Sequence, residues 1–456
     1  MTTPPDGGEG PVKPTDVRIE SSAFSFEDFR YRTPIKFGGV ALDRATVLNA
    51  EVRARTRDGR FATGRGSMPL GNVWSWPSRA MGYDATLAAM KSLAARFAGL
   101  YGACKKQGHP LDITHELEPE LLRAAARMEV AEPVPVLASL VVASPFDAAL
   151  HDAFGKALGL SCYQAYSSDF VSHDLGYYLG DEYRGIPVDA ALETRPAPTL
   201  PLYHLVGALD PLTPAEVQAP VGDGLPEELG SWIELNGLTH LKVKLNGDDL
   251  AWDVSRVAAV EAVASEVQAR RGVKSWHYSL DFNERCPGVE PLLEFLRKLG
   301  ERSPAALQRV QYIEQPTARD LKANPHQVMH EASRIVPIVI DEALVDLESL
   351  LLAREMGYTG AALKACKGQT QSILMAGAAR HHGMFLCVQD LTCPGASLIH
   401  SAGLAAHVKG VQAIEANARQ YCPAANAGWE ARYPGVFTIR DGLMRTGELT
   451  GPGLGT

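Results

Sequence analysis

Leu241-Lys242-Val243-Lys244 is a short apolar run that ends on two lysines. Four runs of the same kind follow: Leu280-Asp281-Phe282-Asn283, Tyr312-Ile313-Glu314-Gln315-Pro316, Ile340-Asp341-Glu342-Ala343 and Ala362-Leu363-Lys364-Ala365-Cys366-Lys367. Each reads as a buried strand with charge at its C-terminal end, inside the longer runs Thr239–Leu245, Ser275–Phe282, Val310–Gln315, Val336–Glu342 and Thr359–Ala365. Helical periodicity separates them, as over Leu250–Arg271, Val289–Glu301, Asp346–Met356 and Gln369–His381. Further apolar runs at Pro201–Leu209, Met384–Leu391 and Val411–Ala418 complete eight strand-helix units in residues 201–425. That is the count of a TIM-type (β/α) barrel, an α/β fold. A doubly wound open sheet is the alternative, but no GxGxxG follows an early strand. In a barrel the strand C-termini form the face where active sites are built, so the charged stations would share one mouth.

The chain before the barrel has a different rhythm. Residues 1–16 are rich in Pro and Gly, lack an apolar core and read as a disordered tail, neither signal peptide nor membrane anchor. Residues 17–165 read as an α+β domain. Val17–Phe29 and Leu48–Arg55 alternate, Arg57-Asp58-Gly59 supplies a hairpin turn, and helices are expected near 84–101, 119–130 and 144–158. Residues 166–200 have weak periodicity and read as a linker or inserted loop. Residues 426–456 are expected to return to the first domain.

Composition narrows the function. The 456 residues carry a formal net charge of −9 and no long basic run. Neither nucleic acid nor an anionic membrane is then an expected partner. Seven scattered cysteines without a CxxC pair argue for packed, reduced thiols in a cytoplasmic protein. The expected partner is a small-molecule carboxylate, bound by a homo-oligomer.

Three carboxylates at the ends of neighbouring strands, Asp281, Glu314 and Asp341, would line one oxygen-rich pocket suited to Mg²⁺, with Mn²⁺ as the alternative ion. Each of them alone reads equally as the N-cap of a following helix. Strands two and six of an eight-strand ring are opposed, so Lys244 and Lys364 would face each other across the mouth. Lys242 lies two residues from Lys244 and points the same way. Two like charges so close should depress each other's pKa and make a basic lysine accessible.

On these stations the sequence resembles the muconate-lactonizing-enzyme branch of the enolase superfamily. The Lys-x-Lys, Asp-x-Asn, Glu-Gln-Pro, Asp-Glu and second-lysine motifs occur in the family's order. Ala-Leu-His-Asp-Ala-Phe-Gly-Lys, within Asp147–Leu160, is similar to the family's helix linking cap to barrel. The resemblance implies Asp281, Glu314 and Asp341 as Mg²⁺ ligands and Lys244 and Lys364 as an acid/base pair, with Lys242 beside them. It also implies that residues 17–165 form a capping domain. The implied activity is α-proton abstraction from a small carboxylate to give a metal-stabilised enediolate, followed by racemisation, epimerisation or cycloisomerisation. A syn-dehydratase of the same branch, or a non-catalytic metal- and acid-binding scaffold, is the alternative.

The sequence departs from the family in its length, in Gly368-Gln369-Thr370 where the family often has a Gly-Gly pair, and at two strand ends. The seventh strand ends Val388-Gln389-Asp390-Leu391 without the histidine of the mandelate-racemase-like branch. The eighth reads Ile414-Glu415-Ala416-Asn417 in place of the Asp-x-Asp with which dipeptide epimerases hold an amine; Asp390 could contribute there. Other residues keep two readings. Glu342 either holds a lysine or faces the helices. Asn283 orients Asp281 or forms a turn. Glu415 and Asn417 either support the substrate or serve the structure. Trp74, with Trp76 and Met68, lines the substrate or packs cap on barrel. His381-His382 reads as surface, with no carboxylate near in sequence.

Overall fold

The computed structural model describes residues 11–37 and 40–456. Three antiparallel strands open the fold: β1 (Val17–Phe37), β2 (Val40–Thr56) and β3 (Phe61–Pro69). The predicted turn joins β2 to β3, where Thr56 N–H donates to the Arg60 carbonyl and Gly59 adopts φ +93°. The β1–β2 ladder runs beyond the predicted alternation, to Phe37 paired with Val40. Most of the expected disordered tail lies outside the described residues. Its last part, 11–16, is tied down: Asp16 is buried, and Ser172 donates to the Pro11 carbonyl.

Helices Tyr83–Ala103 and Val136–Leu158 cover this sheet, and Pro110–Ala126 packs on both of them. The last is long and apolar enough to cross a membrane by composition, but 89% of its most apolar window is buried inside the protein. It is the core helix of the cap. Its Asp147 accepts from Thr114 and from both the N–H and hydroxyl of Thr370, and its His151 bonds Thr370 Oγ1 at 2.9 Å. Thr370 lies in the first turn of a barrel helix, Gln369–His381, so these bonds stitch cap to barrel.

Eight parallel strands follow: β4 (Leu200–Val206), β5 (His240–Lys244), β6 (His277–Asp281), β7 (Val310–Glu314), β8 (Ile338–Ile340), β9 (Gly360–Leu363), β10 (Phe385–Val388) and β11 (Ile414–Glu415). Pairing of β11 with β4 closes the barrel, and β12 (Leu443–Met444) runs antiparallel on β4. Seven of the eight strands fall inside the runs read from the sequence, and β4 starts one residue before its run. The lower interior is filled by Tyr203, Tyr312, Val339, Ala362, Cys387 and Ala413, a packed plug beneath the mouth.

Residues 166–200 form short helical turns with buried Tyr183, Val188 and Leu192, and Leu175 lies against Gly377 of a barrel helix. The C-terminal residues reach the cap: Leu454 N–H donates to Asp152 at 2.7 Å and Thr456 Oγ1 donates to the Arg65 carbonyl at 3.0 Å.

The cap sheet and its core helix meet through glycine. A Cβ on Gly66 would lie 1.9 Å from the Pro145 carbonyl oxygen and 2.9 Å from Ala149 N. Gly66→Ala should therefore destabilise the chain by about 1–3 kcal/mol, seen as a lower urea midpoint. An unchanged midpoint would show that strand and helix can part at no cost.

Candidate active site

Register puts the charged stations at one height. Lys244 on β5 pairs with Asp281 on β6, and Asp281 with Glu314 on β7. Asp341 follows β8 and Lys364 follows β9, on the wall opposite β5. Asp281, Glu314 and Asp341 are all buried, as are Lys242, Lys244, Lys364 and Lys367. Ammoniums stand among the carboxylates. Lys244 bonds Asp281, Lys364 Nζ lies 2.8 Å from Asp341 Oδ2, and Lys367 Nζ lies 3.2 Å from Asp341 Oδ1.

Lys242 sits deepest. Its Nζ is 2.7 Å from Glu415, 2.8 Å from Glu314 and 3.1 Å from Asp281. The sequence suggested that its lysine neighbour would depress it. Burial does work in that direction, but Glu314, Glu415 and Asp281 outweigh it and raise the Lys242 ammonium well above its ordinary value. Burial pushes the Asp281 carboxyl up, yet Lys244 and Lys242 overcome this and hold it well below the usual range. For Asp341, Lys364 and Lys367 likewise overcome burial and bring it to about 2. Burial and neighbouring Asp281 raise Glu314, despite Lys242.

The Glu-Gln-Pro motif has a local logic. Gln315 adopts φ +29°, which turns its side chain toward the next strand. Its amide oxygen accepts from the N–H groups of Asp341 and Ala343 at 3.0 and 3.2 Å. The residue after one carboxylate thereby sets the backbone of the next.

Trp74 of the cap closes the mouth. The Lys364 ammonium stands 4.6 Å from its ring centroid, and its indole N–H donates to Glu342 at 2.9 Å. Its carbonyl accepts from Arg319, which is ion-paired with Glu284. Burial, then Asp341, Glu284 and Asp281, push Glu342 up to about 8. Trp76 and Met68 are buried, and Met68 meets the Cys393 thiol, so Met68 packs cap on barrel.

The residues with two readings are now placed. Asn283 is a turn residue at φ +46° whose N–H donates to Asp281 at 2.8 Å, so both readings meet in its backbone. Glu415 is the deep partner of Lys242, and the Asn417 amide lies 3.4 Å from Glu415. Asp390 accepts from the N–H groups of Thr392, Cys393 and Asn417, and burial with Glu415 raises it to about 7. Three participants were not singled out from the sequence. Lys367 and Arg319 sit in loops, and Gln389, which bonds Glu314, was read only as the absence of a histidine. His381 and His382 do have a carboxylate near: Glu182, from residues 166–200, lies 3.8 and 3.9 Å from them.

The carboxylates Asp281, Glu314 and Asp341 form a donor set suited to a divalent ion. They are buried hard oxygen ligands on successive strands, and Asp341 Oδ2 makes no hydrogen bond of good geometry. Residues 225–456 match the family described as enolase C-terminal domain-like. The chain belongs to the enolase superfamily. Within it, the match places the chain in the branch of mandelate racemase and muconate lactonizing enzyme.

Solved superfamily structures share the fold along nearly the whole chain. Muconate lactonizing enzyme from Pseudomonas fluorescens, complexed with muconolactone, is 19% identical at TM-score 0.60, covering 96% of both chains. Dipeptide epimerase from Enterococcus faecalis V583, complexed with Mg and L-Leu-L-Tyr, is 15% identical at TM-score 0.64, covering 96% of this chain and 99% of its own. N-succinyl Arg/Lys racemase from Bacillus cereus ATCC 14579 is 16% identical at TM-score 0.61, covering 96% and 95%. No curated protein sequence matches.

The deep lysine gives a stability test. Lys242→Met strands three buried carboxylates and should destabilise the enolase-superfamily barrel by about 3–5 kcal/mol. Adding Glu415→Gln to that variant should recover part of the loss in urea unfolding. Strictly additive losses would mean that the two residues do not compensate each other.

Proposed function

We propose that the chain is a Mg²⁺-dependent isomerase of small carboxylates, a racemase, epimerase or cycloisomerase, with Lys244 and Lys364 as its acid/base pair. The observation that carries this reading is their placement on opposite walls of the mouth, each against an outer member of the Asp281–Glu314–Asp341 set. A planar intermediate held between them has a proton carrier on each face.

A bound Mg²⁺ would be held by Asp281, Glu314 and Asp341 and would supply positive charge against the charge that develops on the substrate carboxylate. An α-proton beside a carboxylate is so weakly acidic that electrostatic stabilisation must provide well over ~10 kcal/mol. One lysine takes that proton. The opposite lysine returns one to the other face, or stands as a cation while the intermediate closes a ring. Lys242 and Lys367 keep Glu314 and Asp341 in place. Trp74 covers the mouth and excludes water, so that the ammoniums act at full strength.

The strand ends also bear on substrate class. A free substrate amine needs an uncommitted carboxylate. Glu415 is taken by Lys242, and Asp390 by three backbone N–H groups. The arrangement favours substrates without a free amine, such as N-acyl amino acids or muconate-type diacids, over dipeptides.

Glu314→Gln should abolish tight Mg²⁺ binding in calorimetry while circular dichroism stays native. Unchanged metal affinity would mean that the carboxylate set has been misread.

The lysines are tested in D₂O with dipeptides, N-acyl amino acids and muconate-type diacids. The Mg²⁺-loaded enzyme should place deuterium at the α-carbon, or form a lactone, in at least one class. Lys244→Ala and Lys364→Ala should each lose turnover, with one of them still exchanging the α-proton of a single stereoisomer. Near-normal turnover in either variant rules out the paired-lysine mechanism. Dehydration of a hexuronate or aldonate, with no exchange in any class, rules out the isomerase reading.

A further inference from the structure

Where the cap helices meet the barrel, beside the Lys367-Gly368 turn, lies a cavity of about 240 Å³. Its wall is largely apolar, with Leu121, Leu140, Leu179, Leu347, Leu374 and Met375 from five helices of the cap, the 166–200 stretch and the barrel. Glu118 stands in this wall. Among the described residues it has no hydrogen-bond or ion-pair partner. The charged neighbours make its position worse. Asp346 and Asp147 share the wall, and burial together with these two carboxylates pushes Glu118 up to about 7.

No lining group answers the charge. Lys367 is committed to Asp341 at 3.2 Å. Burial lowers the His115 imidazole and keeps it neutral at pH 7. Asp147 is already satisfied by Thr114 and Thr370, and Asp346 by the Ser349 N–H at 2.7 Å. A second polar group is also left over. The Tyr101 hydroxyl, on another lining residue, is fully buried and has no hydrogen-bond partner. An unpaired, half-buried carboxylate in the wall of an apolar cavity is the ordinary pattern of a small-ligand site.

We propose that this cavity is a second binding site, separate from the barrel mouth, for a small organic cation: a primary ammonium on an apolar body of benzylamine's size. An ammonium has three donors and no acceptor. It offsets the Glu118 charge and donates to the carboxylate, while the apolar body fills the leucine-lined wall. A neutral ligand would leave Glu118 unanswered, and an anion would be repelled by three carboxylates. The site does not depend on how the barrel mouth is read.

The experiment is calorimetric titration of benzylamine into the Mg²⁺-saturated protein at pH 7, in two buffers of different ionisation enthalpy. One equivalent should bind. About half a proton should be released per amine, because pairing lowers a Glu118 carboxyl that starts near pH 7. Glu118→Gln should weaken binding at least tenfold and remove the proton release. Ala143→Leu fills the cavity, leaves Glu118 in place and should weaken binding as much. Benzyl alcohol, matched in shape but uncharged, should bind at least tenfold more weakly than the amine. Equal binding by Glu118→Gln would place the amine elsewhere, for example among the mouth carboxylates, and overturn the proposal. Equal binding of the alcohol, or no heat from the wild-type protein, would overturn it too.

Discussion

Four carboxylates and four ammoniums share the buried mouth of this barrel, and neither set could stay charged there without the other. Asp281, Glu314, Asp341 and Glu415 face Lys242, Lys244, Lys364 and Lys367, all of them nearly or wholly excluded from solvent. Taking one such ion out of water costs several kcal/mol even after relaxation. Charges that deep persist only when each has a partner at contact distance, as these have. The requirement reaches into the backbone. A one-residue slip of β5, β6 or β7 would turn its charges toward the helices, so register is enforced by electrostatics as well as by apolar contact.

The cap is held by the same charges. Trp74 lies on Lys364 and donates to Glu342, so the cap loop bears on the charged ring and not merely on apolar surface. Arg319 adds a strut from the loop after β7 to the Trp74 carbonyl. On the far side, Asp147 and His151 grip Thr370 just after the Lys364–Lys367 turn. The turn that carries the second lysine is thereby fastened to the cap at both ends. Displacing Trp74 would remove a cation–π partner and a hydrogen bond from groups with no water to replace them.

How much of this could be read from the chain depends on how local each signal is. The eight strands were legible because each is an apolar run with a polar stop, and most of those stops carry a charge that the barrel gathers at one end. The proposed ligand set and lysine pair stand on the same stops. The upper half of the β1–β2 hairpin was not legible. Tyr31-Arg32-Thr33-Pro34 interrupts the alternation, and what holds this arm is distant: Arg32 pairs with Asp223, and Ile35 packs on Leu205 and Tyr421. Lys367, Arg319 and Glu284 lie in turns and loops after strands, where charged residues are ordinarily solvated; here Lys367 is buried against Asp341, and Arg319 reaches from Glu284 to the Trp74 carbonyl. Lys242 shares the face of Lys244, but its lysine neighbour alone gives the wrong direction for its shift. Its nearest neighbour in sequence is a lysine, whereas its nearest neighbours in space are three carboxylates.

That last contrast separates the two lysines of the Lys-x-Lys motif by depth. Residues two apart on a strand share a face but differ by roughly 6.5 Å along it. The inner ammonium meets Glu415 at the base of the mouth and is locked by compensation from three sides. A proton there has nowhere to go, because releasing it would leave a net negative charge buried beside the plug formed by Tyr203, Tyr312 and their neighbours. The outer lysine stands level with Asp281 and Glu314, beneath the cap. In the proposed mechanism only that level is open to a substrate, so the inner lysine supplies fixed charge while the outer one moves protons. The spacing serves both roles because alternation keeps the pair on one face while the strand rise keeps them in different surroundings.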